Sequence, residues 1–207
     1  MDEAGEHLPL HRAPDALRAR LGSRAIALVG MPGSGKSSVG RRLAPRLGLP
    51  FIDADAEIEQ AAGGMTVAEI FAKHGEAEFR SLEARVIARL LDEGPAVIAT
   101  GGGALINEGT RALIRDRAVS IWLKADIPVL MRRVRRKSDR PLFKGKDTET
   151  TLRTLLADRE HLYVEARVVV TSREGPHESV VDSILEALDR SILPEEPARQ
   201  SPAETRA

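Results

Sequence analysis

Short apolar runs alternate with amphipathic stretches along most of the chain, and this rhythm predicts its elements. Ala25–Val29 (AIALV) is apolar at every position, the pattern of a strand buried on both faces. A glycine-rich turn and a helix to about Leu47 follow, and a second strand runs through Phe51 and Ile52 to end at Asp53. Helices are predicted over 56–62 and 66–73, the latter opened by Thr66 and Glu69 in the spacing of a capping box. Phe79, Leu82, Val86 and Leu90 recur at helical spacing and set another helix over 76–91. A third strand, 96–99, ends in Thr100-Gly101-Gly102-Gly103, and a helix near 111–115 leads to a fourth strand over 119–123. Val129, Leu130 and Val134 lie on a helix that enters a basic loop, 135–146. A helix over 149–163, a fifth strand over 168–170 and a last helix with Val180, Val181, Ile184 and Leu188 complete the series. Strands bounded by helices, with continuous apolar runs, indicate an α/β fold. The expectation is a five-stranded parallel sheet flanked by helices, with ligands at the carboxyl ends of its strands.

Outside this series the pattern fades. Residues 1–22 read as an N-terminal extension with a short helix over 16–21, and 23–193 as one domain. Residues 194–207, rich in Pro, Glu, Arg, Ser and Ala, read as a disordered tail.

The first strand runs into Gly30-Met31-Pro32-Gly33-Ser34-Gly35-Lys36-Ser37, which matches the phosphate-binding G-x-x-x-x-G-K-[ST] pattern in its required strand–helix setting. Glycines let backbone N–H groups converge on phosphate oxygens, and the helix N-terminus adds positive potential. Lys36 is placed to reach the β- and γ-phosphates, and the Ser37 hydroxyl to ligate Mg²⁺. Without this setting the segment would be an ordinary turn with a surface lysine.

Other residues sort among the proteins that use such a loop. The chain has no N-K-x-D for reading guanine, and its strand ends carry Asp53 and Thr100 rather than the acidic pair of a motor. Kinases of small molecules remain. Asp53-Ala54-Asp55 sits just past the second strand; one carboxylate can hold a metal-bound water while the other accepts a proton from an attacking hydroxyl. The same residues also suit a helix-capping turn. Gly101-Gly102-Gly103 would let a ligand lie directly on the backbone, or serve only as a flexible turn.

Composition narrows the class further. Lysine plus arginine equals aspartate plus glutamate, 31 against 31, so no global field attracts nucleic acid or membrane. There is no cysteine, which excludes thiol chemistry and fits a reducing cytoplasm. No apolar run approaches the ~20 residues of a spanning helix. The basic cluster from Arg132 to Lys146 could bind RNA, but aromatics make up only 3%, leaving no evident stacking platform. A lid closing over a triphosphate is the better account.

The ordered set of motifs resembles the shikimate kinases over 25–188. It comprises the phosphate loop, Asp53-x-Asp55, Gly75-Glu76 with Phe79-Arg80-x-x-Glu83, Gly101-Gly102-Gly103, Arg140-Pro141-Leu142 and Arg159-x-x-Leu162-Tyr163. The resemblance implies a P-loop kinase fold with a mobile lid. It also implies ATP-dependent phosphorylation of the shikimate 3-hydroxyl, a step toward aromatic amino acids, by a monomeric enzyme. ATP would bind Gly33, Ser34, Gly35, Lys36, Ser37 and Ser38, with Arg133 packed against adenine and Arg140 reaching over the phosphates. Around Arg173 and Pro176 the residues flanking the base stay open. Asp55 would grip the substrate hydroxyls and act as base; Lys36 and Arg140 would share the catalytic work. Arg80, Gly101, Gly102, Gly103 and Arg159 would hold the substrate, with Glu83 bracing Arg80. Mg²⁺ would be bound by Ser37 directly and by Asp53 through water. Gluconate or nucleotide kinases, and a nucleotide-dependent RNA-binding protein, are the rival readings. Gly63-Gly64 departs from the family's pattern by one inserted residue.

Overall fold

The structure is a computed structural model and describes residues 14–136 and 147–191. Residues 1–13, the tail from 192 onward and most of the expected lid, with Arg140, lie outside the described residues. The elements are α1 (Pro14–Leu21), β1 (Ala25–Val29), α2 (Lys36–Arg46), β2 (Phe51–Asp53), α3 (Ala54–Ala61), α4 (Val67–Asp92) and β3 (Val97–Ala99). A 3₁₀ turn at Ala104–Ile106 precedes α5 (Glu108–Arg117), β4 (Ala118–Lys124), α6 (Ile127–Arg135), α7 (Thr148–Tyr163), β5 (Val168–Thr171) and α8 (His177–Ser191). The strands form one parallel sheet in the order β2-β3-β1-β4-β5, as the sequence predicts.

The run AIALV is explained by this order. β1 is central, so Ala25, Ala27 and Val29 face one apolar layer, with α3 to α7, while Ile26 and Leu28 face the other, with α1, α2 and α8. Burial on both faces leaves no position for a polar side chain. The edge strands differ: β5 alternates between buried and exposed positions. Leu17 and Leu21 of α1 pack into the second layer, so the core takes in a helix upstream of residue 23. Among the described residues no helix is long and apolar enough to cross a membrane.

Two glycine features shape the path toward the cleft. Gly63 (φ 72) and Gly64 (φ 88) close α3, with Gly64 N–H on the Glu59 carbonyl at 2.8 Å and Gly63 N–H on that of Gln60 at 3.0 Å. This Schellman arrangement needs left-handed residues, so the inserted glycine ends a helix and turns the chain into the Thr66–Glu69 capping box. Gly75 (φ 80, ψ 173) then breaks α4 into two helical pieces, at the gap between the helices expected over 66–73 and 76–91.

The sheet topology fixes where a ligand fits. After β1 the chain crosses to the α2 layer, and after β3 it enters the opposite layer through the 3₁₀ turn and α5. Neighbouring strands whose connections leave for opposite faces open a crevice at their carboxyl ends. The loops bounding that crevice are 30–35 and 100–103.

Candidate active site

A cleft of about 1150 Å³ lies in this crevice. One end is mostly main chain. β1 delivers the glycine loop to Lys36, the first residue of α2, whose Nζ donates to the carbonyls of Gly30 (2.8 Å) and Met31 (3.1 Å). Lys36 is thereby folded over the loop and almost wholly buried. The first turn of α2 carries no acidic residue, so the positive potential of its N-terminus is not cancelled locally. Gly33, Gly35, Ser37 and Ser38 line the same end. Ser34 does not; its side chain is fully buried and its Oγ has no hydrogen-bond partner.

Arg133 of α6 ties this loop to the connection between β5 and α8. Its guanidinium donates to the Ser34 carbonyl (3.2 Å), Ser172 Oγ (2.8 Å) and the Arg173 carbonyl (2.6 Å). Burial pushes its pKa down, though an arginine remains a cation in proteins.

At the other end, side chains from separate elements converge. Asp53 caps α3, accepting from the Asp55 N–H at 3.2 Å, and both carboxylates line the cleft. Capping and cleft-facing roles therefore coincide in Asp53. Arg80 of α4 donates to Glu83 Oε2 at 2.6 Å and to Glu76 Oε1 at 3.2 and 3.3 Å. Its guanidinium also lies 5.1 Å from the Phe79 ring centroid, within cation–π range. Arg159 of α7, buried but for 7% of its surface, donates to the Gly102 carbonyl at 3.1 Å. The Tyr163 hydroxyl donates to the same carbonyl at 2.5 Å.

The three consecutive glycines are each fitted to a different neighbour. A Cβ on Gly101 would stand 2.5 Å from Glu83 Oε1, one on Gly102 2.8 Å from Pro32 Cδ, and one on Gly103 2.5 Å from Arg80 Nη2. Pro32 leaves no room for a side chain at 102, whereas one at 101 or 103 would have to displace the Glu83 carboxylate or the Arg80 guanidinium, so the segment is the floor on which carboxylates, the phosphate loop and Arg80 meet.

Electrostatics follow from burial. Glu83 is 2% exposed, and desolvation raises its pKa despite the opposing pull of Arg80. Its Oε1 has no hydrogen-bond partner. Tyr163 is buried too, and desolvation pushes its hydroxyl up to about 12, so it donates throughout the physiological range. Of the residues expected from the sequence, the cleft gathers Asp53, Asp55, Arg80, Glu83, Gly101–Gly103 and Arg159 at one end and Gly33, Gly35, Lys36, Ser37, Ser38 and Arg133 at the other, while the Ser34 side chain is buried away from it and Arg140 lies outside the described residues. The sequence reading missed two features. The Tyr163–Gly102 contact spans 61 positions of sequence, and His177, on the wall of the nucleotide-facing end, belongs to no motif.

The parallel strand order, the glycine loop between β1 and α2, and the lysine folded over it define a P-loop kinase fold. Comparison with known proteins narrows this class. The family model described as shikimate kinase matches residues 32–189. A shikimate kinase of Bradyrhizobium diazoefficiens is 56% identical over 198 residues, 95% of each chain, and one of Rhodopseudomonas palustris is 56% identical over 170 residues, covering 82% of this chain and 83% of the relative. The solved shikimate kinase of Acinetobacter baumannii in complex with shikimate aligns with a TM-score of 0.79 at 35% identity, covering 84% of this chain and 97% of its own. The chain belongs to the shikimate kinase family.

Proposed function

We propose that the chain transfers the γ-phosphoryl group of ATP to the 3-hydroxyl of shikimate, giving 3-phosphoshikimate and ADP. The observation that carries this reading is the arrangement of one cleft. Two arginines (Arg80 and Arg159) and three carboxylates (Asp53, Asp55 and Glu83) surround a glycine floor at one end, and a lysine-bearing phosphate loop forms the other. Arginine's planar fork suits a carboxylate ligand. An acceptor with a carboxylate for Arg80 and Arg159 and a hydroxyl for Asp55 matches shikimate better than a neutral sugar or a nucleotide.

In this scheme the protein contributes position and charge, because phosphoryl transfer asks little covalent chemistry of it. Backbone N–H groups of 33–38 hold the phosphates, and Lys36 stabilises charge on the transferring group. Asp55 orients the attacking hydroxyl and accepts its proton. Glu83 fixes the Arg80 fork through its 2.6 Å contact. Arg159 and Tyr163 hold the glycine floor by its Gly102 carbonyl, which presents that backbone to the acceptor. Arg133 flanks the adenine. Arg140 lies outside the described residues, and its assignment over the phosphates rests on the sequence pattern.

Ser37 and Asp53 offer a hydroxyl and a carboxylate on the cleft wall, a hard-oxygen set that fits Mg²⁺. That ion takes few protein ligands and completes its shell with water and phosphate oxygens. Among the described residues no group of three or more His, Cys, Asp or Glu side chains could hold a metal, which accords with a site shared with the nucleotide. When bound, Mg²⁺ supplies charge neutralisation at the phosphate oxygens. A monomeric, cytoplasmic enzyme belongs to the same reading, supported by the family pattern and, for the compartment, by a cysteine-free chain.

The test is ADP release by the purified full chain with shikimate, gluconate and a nucleoside monophosphate as acceptors, with Mg²⁺ and with chelator. Turnover with shikimate alone, lost in chelator, is expected. Faster turnover with either other acceptor would overturn the reading.

A further inference from the structure

A second cavity, of about 340 Å³, lies at the amino ends of β1, β4 and β5, whereas the cleft lies at carboxyl ends of the sheet. Four arginines line it: Arg24 just before β1, Arg111 and Arg115 on α5, and Arg167 just before β5. Two acids, Asp116 and Glu165, share the wall. Four cations against two anions leave an excess of two positive charges.

Three of these arginines are fixed by the main chain rather than by acids. Arg24 donates from Nε to the Leu21 carbonyl at 3.2 Å and from Nη2 to that of Arg20 at 3.0 Å. Arg111 Nη1 donates to the carbonyls of Leu105 (2.7 Å) and Ile106 (3.1 Å), and Arg167 Nη2 to that of Ser191 (3.0 Å). Among the described residues none of the three makes an ion pair. Of the four, only Arg115 approaches a carboxylate, that of Asp116 at 3.7 Å. Carbonyls orient a guanidinium without neutralising it, and these contacts take one or two of its five N–H donors. Capping explains where Arg24 and Arg111 are held, since each binds carbonyls at the end of a helical turn. It does not explain why four guanidinium groups, which repel one another, face one concavity with only two acids among them. Ser120 adds to the set. Its Oγ accepts the Arg167 N–H at 3.1 Å, which leaves the hydroxyl hydrogen to donate. Ile114, Leu162 and Ala166 supply an apolar wall.

We propose that this cavity binds a small phosphate monoester. Such a group carries about −1.5 to −2 charge at pH 7, which matches the excess on the lining, and its oxygens suit arginine forks. The volume is at the lower end of the roughly 300–1,000 Å³ of ligand pockets, so the carbon skeleton of the ester is short. The site shares no residue with the cleft and does not depend on what the cleft binds.

Calorimetric titration of glycerol 3-phosphate, succinate and inorganic phosphate into the full chain tests this, with ADP, Mg²⁺ and shikimate present at saturation to occupy the cleft. Glycerol 3-phosphate is expected to bind once per chain. The double variant Arg24→Gln/Arg167→Gln removes two charged donors and is expected to weaken that binding by at least ~10-fold. Arg111 is kept, because the carbonyls it holds follow closely on the glycine floor. Arg115→Glu changes the charge of the lining at a side chain that is 72% exposed, disturbs no main-chain contact, and should weaken binding as well. In both variants kcat with saturating substrates should be unchanged. Absence of saturable binding to wild type up to ~10 mM glycerol 3-phosphate, or equal affinity in wild type and Arg115→Glu, would overturn the assignment. Tighter binding of succinate or of inorganic phosphate would overturn the choice of a phosphate monoester.

Discussion

At one end of the cleft a single uninterrupted segment, 30–38, supplies the lysine, the hydroxyls and the backbone donors. At the other, Asp55 comes from α3, Arg80 and Glu83 from α4, the glycine floor from the loop after β3, and Arg159 and Tyr163 from α7. The first end takes its shape mainly from its own strand–loop–helix geometry, with Arg133 tying it to the β5–α8 connection. The second exists only once the chain has packed. Every part of it rests on contacts between separate elements: the 2.6 Å Arg80–Glu83 pair beside Gly103, and a Gly102 carbonyl bonded by both Arg159 and Tyr163. A site that is common to many proteins can be local, whereas one that reads a particular acceptor draws on the whole fold.

The two ends should fail in different ways. The largest effect is expected at the phosphate end, where Lys36→Ala lowers kcat by ~10²–10³ through lost charge stabilisation, with an unchanged circular dichroism spectrum. Near-normal turnover by the folded variant would contradict the role of the loop. Asp55→Asn keeps the shape but loses charge and proton acceptor, and should cut kcat by about 10²-fold, more than it weakens shikimate binding. A rise in KM with unchanged kcat would reassign Asp55 to binding alone. Arg80→Ala and Arg159→Ala remove charge-assisted contacts, expected to raise KM for shikimate by roughly 10- to 150-fold. KM for ATP should stay constant in steady-state kinetics; if it moved equally, the ends would not be separable.

How much of this the sequence discloses follows the same division. The phosphate end is spelled out by eight consecutive residues of the loop motif, Gly30–Ser37, and the strand AIALV declares its central place because both its faces are apolar. The acceptor residues are visible only through the ordered motif set, because nothing local tells a cleft arginine from a solvated one. Both arginines lie on helices of modest amphipathicity. Their roles depend on Glu83 one turn away and on a carbonyl far off in sequence. His177 and Tyr163 illustrate the rest: what each touches is decided by tertiary packing alone. The core's extension to Leu17 and Leu21 is hidden for a related reason, since α1 is only eight residues long, three of them charged, and its two leucines give little periodic signal.

The smallest expected effect refines the packed end. Tyr163 is the only tyrosine in the chain, so its ionisation can be followed by absorbance without interference from another tyrosine. Its pKa is pushed up to about 12 from the ordinary 10 by burial. Because the folded protein then keeps a proton that the unfolded chain loses, its contribution to stability is full below pH 10 and is lost as pH rises toward 12. Urea midpoints should fall more between pH 9 and ~11 for wild type than for Tyr163→Phe, by the linkage of that one proton. Parallel curves, or tyrosinate forming near pH 10 in the folded protein, would show the hydroxyl to be solvated rather than fixed on Gly102.

The central claim is that the packed end reads a carboxylate while the loop end delivers a phosphoryl group. It is tested most directly by comparing kcat/KM for shikimate and for its neutral carboxamide, in wild type and in Arg80→Ala. The account predicts that wild type prefers the acid by roughly 10- to 150-fold, the worth of a charge-assisted contact, and that most of this preference disappears in the variant. Equal use of acid and amide by wild type would contradict it.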